Sequence, residues 1–537
     1  MTAKRGADFD LRSAIREKGF TPRVADAKEL FALLTSADDA EHAEDALVVL
    51  GEASLTQAIT QLEGARAPVR GRLAKVVARF AADEALGTAA VGALLPLLKD
   101  DDGPTRRAAV QGLGKSANRE HESALLRAYE THEDLPTRRS IARAFGVLGG
   151  EKAAAVLENV SNDPELIRIA RESLIKIRRD TVRTESTRIR EDVALRHDQR
   201  IIFHCKPGFE HIVAEEAEKV FSGKVKGPGE VHGYLRGPLR TAIALRTPTY
   251  FSLPLPLRQR GGESVETTVA QLLTSKEAVE IFETFSDGPI RYRIEWIGAG
   301  HKRASTFRIA ELVAKRAPSL INDTRDTPWT AEIEADVRGV QISLWPKALV
   351  DTRFDYIDER VEAASHPTVA AALAWVGGVR EDDVVWDPFA GGATELIERA
   401  KLGPYKMMYG SDNEASAIEI AKATVKRAGT SNIELIVGDA RNLRLPQAPT
   451  LILTNPPLGR RITRDSTLGP MLEDFLAHAA RMLAPNGRLV WLSPQPARTA
   501  ELLTSFGMTA VHHERVDLGG VYAELQAYEK ITSADSD

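Results

Sequence analysis

Four short apolar stretches in the C-terminal part of the chain each run into a polar residue that carries acceptor oxygens. These residues are Asp387, Asp412, Asp439 and Asn455, and helical patterns follow the first two. Buried strands that alternate with helices predict a parallel α/β sheet, whose ligands bind beyond the carboxyl ends of the strands. One acid at a strand end is often a helix cap, but four acceptors at successive strand ends predict one ligand-binding crevice.

The first of these strands leads through a glycine-rich turn, Asp387-Pro388-Phe389-Ala390-Gly391-Gly392-Ala393-Thr394, into a helix. Glycine allows a ligand to lie against the backbone. Two glycines beside an acid suit a pyrophosphate poorly, whereas the acid suits a cationic ligand such as the α-amino group of S-adenosylmethionine. Asp412 is then placed to accept from ribose hydroxyls, and Asp439 with Ala440 to meet the adenine amino group.

The fourth strand ends in the segment Thr454-Asn455-Pro456-Pro457-Leu458-Gly459. Two successive prolines cannot donate to a strand ladder, so the chain leaves the sheet in a stiff turn. The side-chain oxygen of Asn455 and the carbonyls around Pro456 can accept both protons of one exocyclic base amine. Taken alone, the segment is more typical of a strand-to-loop turn that has no chemistry. Together with the other strand ends, it favours methylation of a base amine.

Composition narrows the class of protein. With 537 residues, 43% hydrophobic and 27% charged, the chain has the balance of a globular protein of three or four domains. Its single cysteine, Cys205, excludes an intramolecular disulfide and multi-cysteine metal sites, and it favours a reducing cytoplasmic location. We expect no metal site, no secretion signal and no membrane span.

Residues 1–185 are rich in Ala, Leu, Arg and Glu at helical spacing. The segment that begins at Pro104 is echoed at Pro136 and more loosely at Pro68 and Pro164, a period that predicts stacked helix pairs. These units resemble short HEAT repeats, which implies a docking surface for protein or RNA. The arginines of the repeat either line a groove for an anionic partner or brace adjacent repeats. They are Arg106, Arg107, Arg138 and Arg139.

Residues 198–350 mix short strands with helices and predict an α+β region. Strands are predicted over 200–205, 241–245, 291–296, 330–337 and 340–344, and helices over 209–221, 265–273 and 305–316. Basic residues cluster within this region among the aromatic residues Tyr292, Trp296 and Phe307, a pattern that predicts contacts with RNA phosphates and bases. A solvated helix face is the alternative. The basic residues are Arg291, Arg293, Lys302, Arg303, Arg308 and Lys315.

Three segments of the middle region, together with the glycine turn and the Asn-Pro-Pro loop, resemble one family. These segments are Pro207-Gly208-Phe209-Glu210, Arg291-Tyr292-Arg293-Ile294 and Asp351-Thr352-Arg353-Phe354-Asp355-Tyr356. The family is that of THUMP-domain class I S-adenosylmethionine-dependent RNA methyltransferases. The resemblance implies a multidomain chain: an all-α HEAT-like solenoid over 1–185, an α+β ferredoxin-like and THUMP region over 198–350, and a Rossmann-like methyltransferase domain over 360–531.

The resemblance also implies roles for individual residues. Asp387, Phe389 and Gly391 would contact the methionine end of S-adenosylmethionine, Asp412 the ribose, and Asp439 with Ala440 the adenine. The catalytic loop would comprise Asn455, Pro456, Pro457 and Leu458, and Arg460 with Arg461 would hold a phosphate of the RNA.

Two residues depart from the family pattern. Ala393 stands where the family has its second glycine. An alanine is tolerated at this position if its backbone φ is negative. Leu458 stands where the family has an aromatic residue that stacks on the target base. The implied function is methylation of guanine N2 in tRNA or 23S rRNA. Adenine N6 stays open as the acceptor, and so does a catalytically weak RNA-binding assembly factor that retains the donor pocket.

Overall fold

The computed structural model describes residues 9–530 apart from 18, 162, 184, 260, 299, 301, 326, 358–364 and 459–467. The described residues form two compact units. Unit 1 falls within Met1–Ser186 and Ala304–Asp323, and unit 2 within Thr187–Arg303 and Thr324–Asp537. Residues 304–323 thus pack with the repeats, although the sequence places them in the middle region. The boundaries expected between three domains stay predictions.

Unit 1 is built mainly from helices packed around one apolar core, which includes Leu73, Leu113 and Phe145. Helix α7 packs between α5 and α9, and α9 packs on α11. Small residues permit this approach, because a Cβ added at Gly146 would lie 2.7 Å from the hydroxyl oxygen of Ser173. The helices up to residue 186 are α1 (Leu11–Ala14), α2 (Ala27–Leu33), α3 (Ala40–Val49), α4 (Glu52–Leu62), α5 (Val69–Arg79), α6 (Gly87–Leu94), α7 (Gly103–Ser116), α8 (Glu122–Thr131), α9 (Leu135–Leu148), α10 (Glu151–Glu158) and α11 (Pro164–Val182).

The repeated proline lies in the first turn of a helix in three repeats, as Pro104, Pro136 and Pro164 show. In each case an aspartate before the helix accepts a hydrogen bond from a backbone N–H of that turn. These caps are Asp102, Asp134 and Asp163. The sequence pattern therefore marks helix starts, as predicted.

Two of the repeat arginines bind the cap of the following repeat. Arg106 Nη2 lies 2.7 Å from Asp134 Oδ2, and Arg139 Nη2 lies 2.8 Å from Asp163 Oδ2. Arg138 donates to the carbonyl of His132 at 2.8 Å. Of the two alternatives for these side chains, bracing of adjacent repeats is the one that the contacts support.

Helix α15 (Arg303–Arg316) and the short strand β8 (Leu320–Asn322) complete unit 1. Arg171 of α11 lies 3.4 Å from Glu311 of α15. Arg183 donates through Nε to Asp323 Oδ2 at 2.7 Å, and its Nη2 binds the other oxygen of the same buried carboxylate. These ion pairs fix residues 304–323 to the end of the repeats.

The first part of unit 2 is an α+β region. Its main sheet has the strand order β3-β4-β2-β5-β10-β9-β7 within the unit, and its neighbours are antiparallel except for the parallel pair β7 and β9. Helix α12 packs on β3 and β4, and α13 packs on β10. The elements are β1 (Arg188–Ile189), β2 (Gln199–His204), α12 (Glu210–Phe221), β3 (Lys224–Gly227), β4 (Glu230–Leu235), β5 (Tyr250–Pro254), α13 (Val265–Leu273), α14 (Lys276–Phe285), β6 (Ser286–Asp287), β7 (Ile290–Trp296), β9 (Trp329–Ala335) and β10 (Val340–Trp345).

The strand predicted over 241–245 is wrong. A 3₁₀ helix, Leu239–Ala244, occupies this segment. It begins after Pro238, whose carbonyl accepts a hydrogen bond from the backbone N–H of Thr241 at 3.0 Å. A short apolar run has no period that separates a strand from a helical turn.

The second part of unit 2 is a seven-stranded sheet with the order β13-β12-β11-β14-β15-β17-β16. The strands from β13 to β15 are parallel, and β17 is antiparallel to both of its neighbours. The elements are α16 (Pro367–Gly377), β11 (Val384–Asp387), α17 (Thr394–Leu402), β12 (Met407–Asp412), α18 (Ala415–Ala428), β13 (Ile433–Val437), β14 (Leu451–Thr454), α19 (Leu468–Met482), β15 (Arg488–Ser493), α20 (Pro496–Ser505), β16 (Met508–Asp517) and β17 (Tyr522–Lys530). Parallel pairing brings the carboxyl ends of β11 to β14 to one edge, as predicted.

In the described part of the chain, no helix combines the length and the apolar character that crossing a bilayer requires.

Candidate active site

A cavity of about 880 Å³ opens at the carboxyl edge of the parallel strands. Nine of the ten residues predicted for the donor and for the catalytic loop line this cavity. They are Phe389, Gly391, Asp412, Asp439, Ala440, Asn455, Pro456, Pro457 and Leu458. The tenth, Asp387, is fully buried at the end of β11. The structure thus brings the predicted residues together.

The carboxylate of Asp387 is half satisfied. Its Oδ1 accepts hydrogen bonds from Thr454 Oγ1 at 2.6 Å and from the backbone N–H of Phe389 at 3.1 Å. Its Oδ2 is buried and has no hydrogen-bond partner among the described residues. A buried acceptor without a partner is costly, so this atom calls for a donor that the cavity must supply.

A second acid, Glu395, belongs to this site and was not predicted from the sequence. It lies in the first turn of α17 and is 3% exposed, and its Oε1 also lacks a partner within the described part of the chain. Burial raises the pKa of Glu395 to about 7. Burial also raises the pKa of Asp387, and the neighbouring Glu395 raises it further. Two buried acids with unused oxygens suit a cationic ligand.

The acid could have been found from its place in the chain. An acid in the first turn of the helix that follows a glycine turn lies at the ligand end of that helix. The sequence reasoning treated Glu395 only as part of the helix.

The glycine turn leaves room for a ligand at its backbone. Gly391 has a φ of 46°, and the nearest atom to a Cβ added there lies 4.0 Å away. Its N–H donates to Asp412 Oδ2 at 3.1 Å, which ties the turn to the end of β12. Ala393 has a φ of 62°, so the negative φ that would make alanine tolerable at this position is not present. Its methyl group packs in the apolar core of the domain, and this burial offsets the cost of the left-handed backbone.

The two remaining strand-end acids already have partners. The other oxygen of Asp412 accepts from the backbone N–H of Glu414 at 3.0 Å. Asp439 forms an ion pair with Arg441 at 2.6 Å, and the hydrogen bonds from Arg441 lower the pKa of Asp439. Each carboxylate oxygen has a second lone pair, so both acids still have acceptor capacity toward the cavity.

Asn455 has a fixed orientation. Its Nδ2 donates to the hydroxyl oxygen of Ser365 at 2.8 Å, and its Oδ1 is buried with no partner among the described residues. Pro456 is buried, Pro457 is exposed, and Leu458 packs against the apolar core of the domain. Arg460 and Arg461 lie outside the described residues. The loop therefore presents one unused acceptor oxygen to the cavity.

The residues predicted to bind RNA are divided between the two units. Arg293 lies on β7 and pairs with Glu295 at 3.1 Å, and Lys302 lies 4.5 Å from the ring centre of Trp296. On α15, Arg308 is exposed and Lys315 pairs with Glu311 at 3.1 Å. Arg303 is exposed as well.

Arg291 requires a correction, because its side chain is buried on β7. A side chain in that position does not offer its charge to a phosphate at the surface.

Parts of the chain are similar to known proteins. Residues 355–524 match a family model described as RMKL-like, methyltransferase domain, and residues 91–175 match HEAT repeats. The chain is 34% identical over 167 residues to the tRNA (guanine(6)-N2)-methyltransferase of Thermus thermophilus, which covers 31% of this chain and 50% of that protein. It is 31% identical over 132 residues to the tRNA (guanine(10)-N2)-dimethyltransferase of Methanothermobacter thermautotrophicus, which covers 24% of this chain and 38% of that protein. The matches thus span half or less of these relatives.

Solved structures share the fold. The crystal structure of TrmN from Thermus thermophilus matches with a TM-score of 0.51 at 23% identity, over 62% of this chain and 100% of that chain. The structure of SMU.472 complexed with SAH matches with a TM-score of 0.50 at 15% identity, over 64% of this chain and 100% of that chain. At these identities the likeness concerns the fold alone.

Proposed function

We propose that this chain, in which residues 355–524 are a methyltransferase domain of the RMKL-like family, methylates the exocyclic amine of a base in structured RNA with S-adenosylmethionine as donor. One observation carries the proposal. Three buried oxygens lack partners among the described residues: Glu395 Oε1 and Asn455 Oδ1, which belong to residues that line the cavity, and Asp387 Oδ2 at the end of β11. The two carboxylate oxygens suit the α-ammonium group of the donor, and the amide oxygen suits the amine of the acceptor.

The chain's own residues fit the donor along the strand ends. The backbone of Gly391 and the side chain of Phe389 would hold the methionine end above Asp387 and Glu395. Asp412 would accept from the ribose hydroxyls, and Asp439 with Ala440 would meet the adenine. Bound S-adenosylmethionine supplies a methyl group on a positively charged sulfur, so the methyl group is already activated for transfer.

The catalytic loop would hold the acceptor. Asn455 Oδ1 accepts one proton of the amine, and a carbonyl beside Pro456 accepts the other. These two hydrogen bonds direct the nitrogen lone pair toward the methyl group and shorten the approach of the reacting atoms. They would also stabilise the positive charge that develops on the nitrogen while its bond to the methyl carbon forms and the carbon–sulfur bond breaks. The sulfur would leave as a neutral thioether, and the amine proton would pass to the loop acceptors.

The proposed acceptor is guanine N2 in tRNA or 23S rRNA. The two relatives described above are named for methylation of guanine N2 in tRNA, which supports the choice of base. Adenine N6 presents a similar amine and is the second candidate. A third candidate is an assembly factor that binds RNA and retains the donor pocket, and the loss of the aromatic side chain at Leu458 favours it.

The regions outside the methyltransferase domain complete the proposal. Residues 198–350 would form the ferredoxin-like and THUMP region that grips RNA, and the HEAT-like repeats would dock protein or RNA. The single cysteine, Cys205, fits a cytoplasmic location. The residues that would contact RNA are Arg293, Lys302 and Arg303 in unit 2, Arg308 and Lys315 in unit 1 and, outside the described residues, Arg460 and Arg461.

Transfer of labelled methyl groups tests the proposal. The intact protein is incubated with S-adenosylmethionine and with tRNA and rRNA from a strain that lacks it. We expect label in one RNA, and we expect Asn455→Ala to abolish transfer without changing the affinity for the donor. Asn442→Ala, an exposed site outside the cavity, serves as the control. Donor binding without transfer to any RNA would favour the assembly factor instead.

A further inference from the structure

The side-chain amide of Asn455 has a donor end and an acceptor end of nearly the same shape. Only the acceptor end, Oδ1, suits an incoming amine, because Nδ2 would place its own protons against those of the base. Asn455 can therefore serve its proposed role in one of two orientations that differ by a half-turn of the amide. Some contact must decide between them.

The hydrogen bond between Asn455 and Ser365 decides the orientation. Ser365 belongs to no motif recognised in the sequence and was not predicted as a site residue. Its hydroxyl oxygen accepts from Asn455 Nδ2 at 2.8 Å. Its side chain also forms a hydrogen bond with Glu395 that favours the ionised carboxylate. Ser365 lies immediately before the N-cap residue of α16 and lines the same cavity as Asn455 and Glu395.

The direction of these hydrogen bonds follows from counting protons. A hydroxyl group has one hydrogen, and the ionised carboxylate of Glu395 can only accept, so Ser365 donates its hydrogen to Glu395 when that acid is ionised. Its lone pairs are then the groups that face Asn455. The amide must turn Nδ2 toward Ser365, and Oδ1 is left facing the cavity.

We propose that Ser365 is a positioning residue, which holds the acceptor oxygen of Asn455 toward the target amine and so selects bases that present N–H groups. This inference rests on the proposed function and deepens it, because it names the group that sets the polarity of the acceptor site. It also connects the acceptor site with the donor site, since the same hydroxyl binds Glu395. A base that presents only acceptor atoms at this position would face Asn455 Oδ1, which is also an acceptor. The two acceptors repel each other, so such a base is rejected.

Replacement of Ser365 tests the proposal in the intact protein. Ser365→Ala removes the partner of Nδ2, so the amide rotates and spends part of its time with the wrong end toward the base. We expect kcat for methyl transfer to RNA to fall about tenfold or more, which is the loss that one hydrogen bond implies. The KM for RNA and the affinity for S-adenosylmethionine should change by less than about threefold. Ser365→Thr keeps the hydroxyl and should restore kcat to within about threefold of the wild type.

Other outcomes overturn the inference. A wild-type rate for Ser365→Ala, or a threonine variant as slow as the alanine variant, would remove the hydroxyl from the account. Equal losses in donor affinity and in kcat would assign Ser365 to the donor site alone. Failure of the proposed function is distinguishable, because the wild-type protein would then transfer no methyl group to any RNA.

Discussion

Arg246 and Glu398 form a paired hydrogen bond that joins the α+β part of unit 2 to its methyltransferase domain. Arg246 Nε lies 2.6 Å from Glu398 Oε2, and Arg246 Nη2 lies 2.8 Å from Glu398 Oε1. The hydroxyl of Tyr356 donates to the same carboxylate, which is fully buried. Glu398 lies three residues after Glu395 on α17, so this pair anchors the helix that carries Glu395.

Loss of Arg246 should destabilise unit 2 strongly. Arg246→Ala leaves the carboxylate of Glu398 buried without its countercharge, which costs about 3–5 kcal/mol. Urea unfolding of the intact protein measures the change. Arg240→Ala is the matched control, because Arg240 and its partner Asp192 are 60% and 65% exposed. The control should change stability by less than about 1 kcal/mol. Equal effects of the two variants would contradict this account.

Donor affinity should depend on pH through Asp387 and Glu395. Burial raises the pKa of both acids, that of Glu395 to about 7, so protons compete with the cationic amino group of the donor. Affinity for S-adenosylmethionine should therefore be weak at acidic pH and rise as the pH passes through 7. It should fall again above ~8, where an α-amino group loses its own proton.

Calorimetry in buffers of different ionisation enthalpy measures this competition directly. At neutral pH, donor binding should release protons, and Glu395→Gln should release fewer because the amide does not titrate. Identical affinity on both sides of neutrality, with no dependence on the buffer, would show that these acids do not bind the donor.

Gly391→Ala should prevent donor binding more than it disturbs the fold. A Cβ at Gly391 meets no atom closer than 4.0 Å and would occupy space in the cavity. Gly429→Ala offers a matched control, because Gly429 also has a positive φ, 67°, and open space around it but does not line the cavity. Both variants should lose about 1–2 kcal/mol of stability from the left-handed backbone. Only Gly391→Ala should lower the affinity for S-adenosylmethionine, and we expect a loss of tenfold or more. Equal donor affinities of the two variants would show that the donor does not bind against Gly391.

Leu458→Tyr should improve the capture of RNA. Stacking of a base on an aromatic ring contributes about 1–3 kcal/mol, so kcat/KM for RNA should rise roughly 10-fold to 100-fold. Donor affinity should stay unchanged, and Leu458→Ala should lower kcat/KM. Steady-state kinetics with the methylated RNA provides the measurement, and a tyrosine variant slower than the wild type would contradict a stacking role.

The parallel sheet could be predicted from the sequence because its strands are buried, regular and closed by polar residues. The apolar stretch that runs into Asp412, for example, is strand β12, Met407–Asp412. Prediction of the site failed where a role depends on distant contacts. Ser365 binds Asn455, which lies 90 positions further along the chain. Residues 304–323 pack with the repeats because Glu311 pairs with Arg171 and Asp323 pairs with Arg183. No local pattern carries such information.

The charge pattern also led to a wrong prediction for Arg291, which was expected to contact RNA and is buried. A cluster of basic residues along a strand says nothing about which face of the sheet each side chain takes or how deeply the strand lies. Arg291 is buried on β7, whereas Arg303 and Arg308 on α15 are exposed.

The central claim is that the cavity holds a donor of methyl groups next to an amine accepted by Asn455. The most direct test is mass spectrometry of nucleosides from tRNA and rRNA after incubation with the protein and carbon-13-labelled S-adenosylmethionine. We predict that the label appears in N2-methylguanosine and is lost in Asn455→Ala. Label in N6-methyladenosine would contradict the choice of base, and absence of label from every nucleoside would contradict the central claim itself.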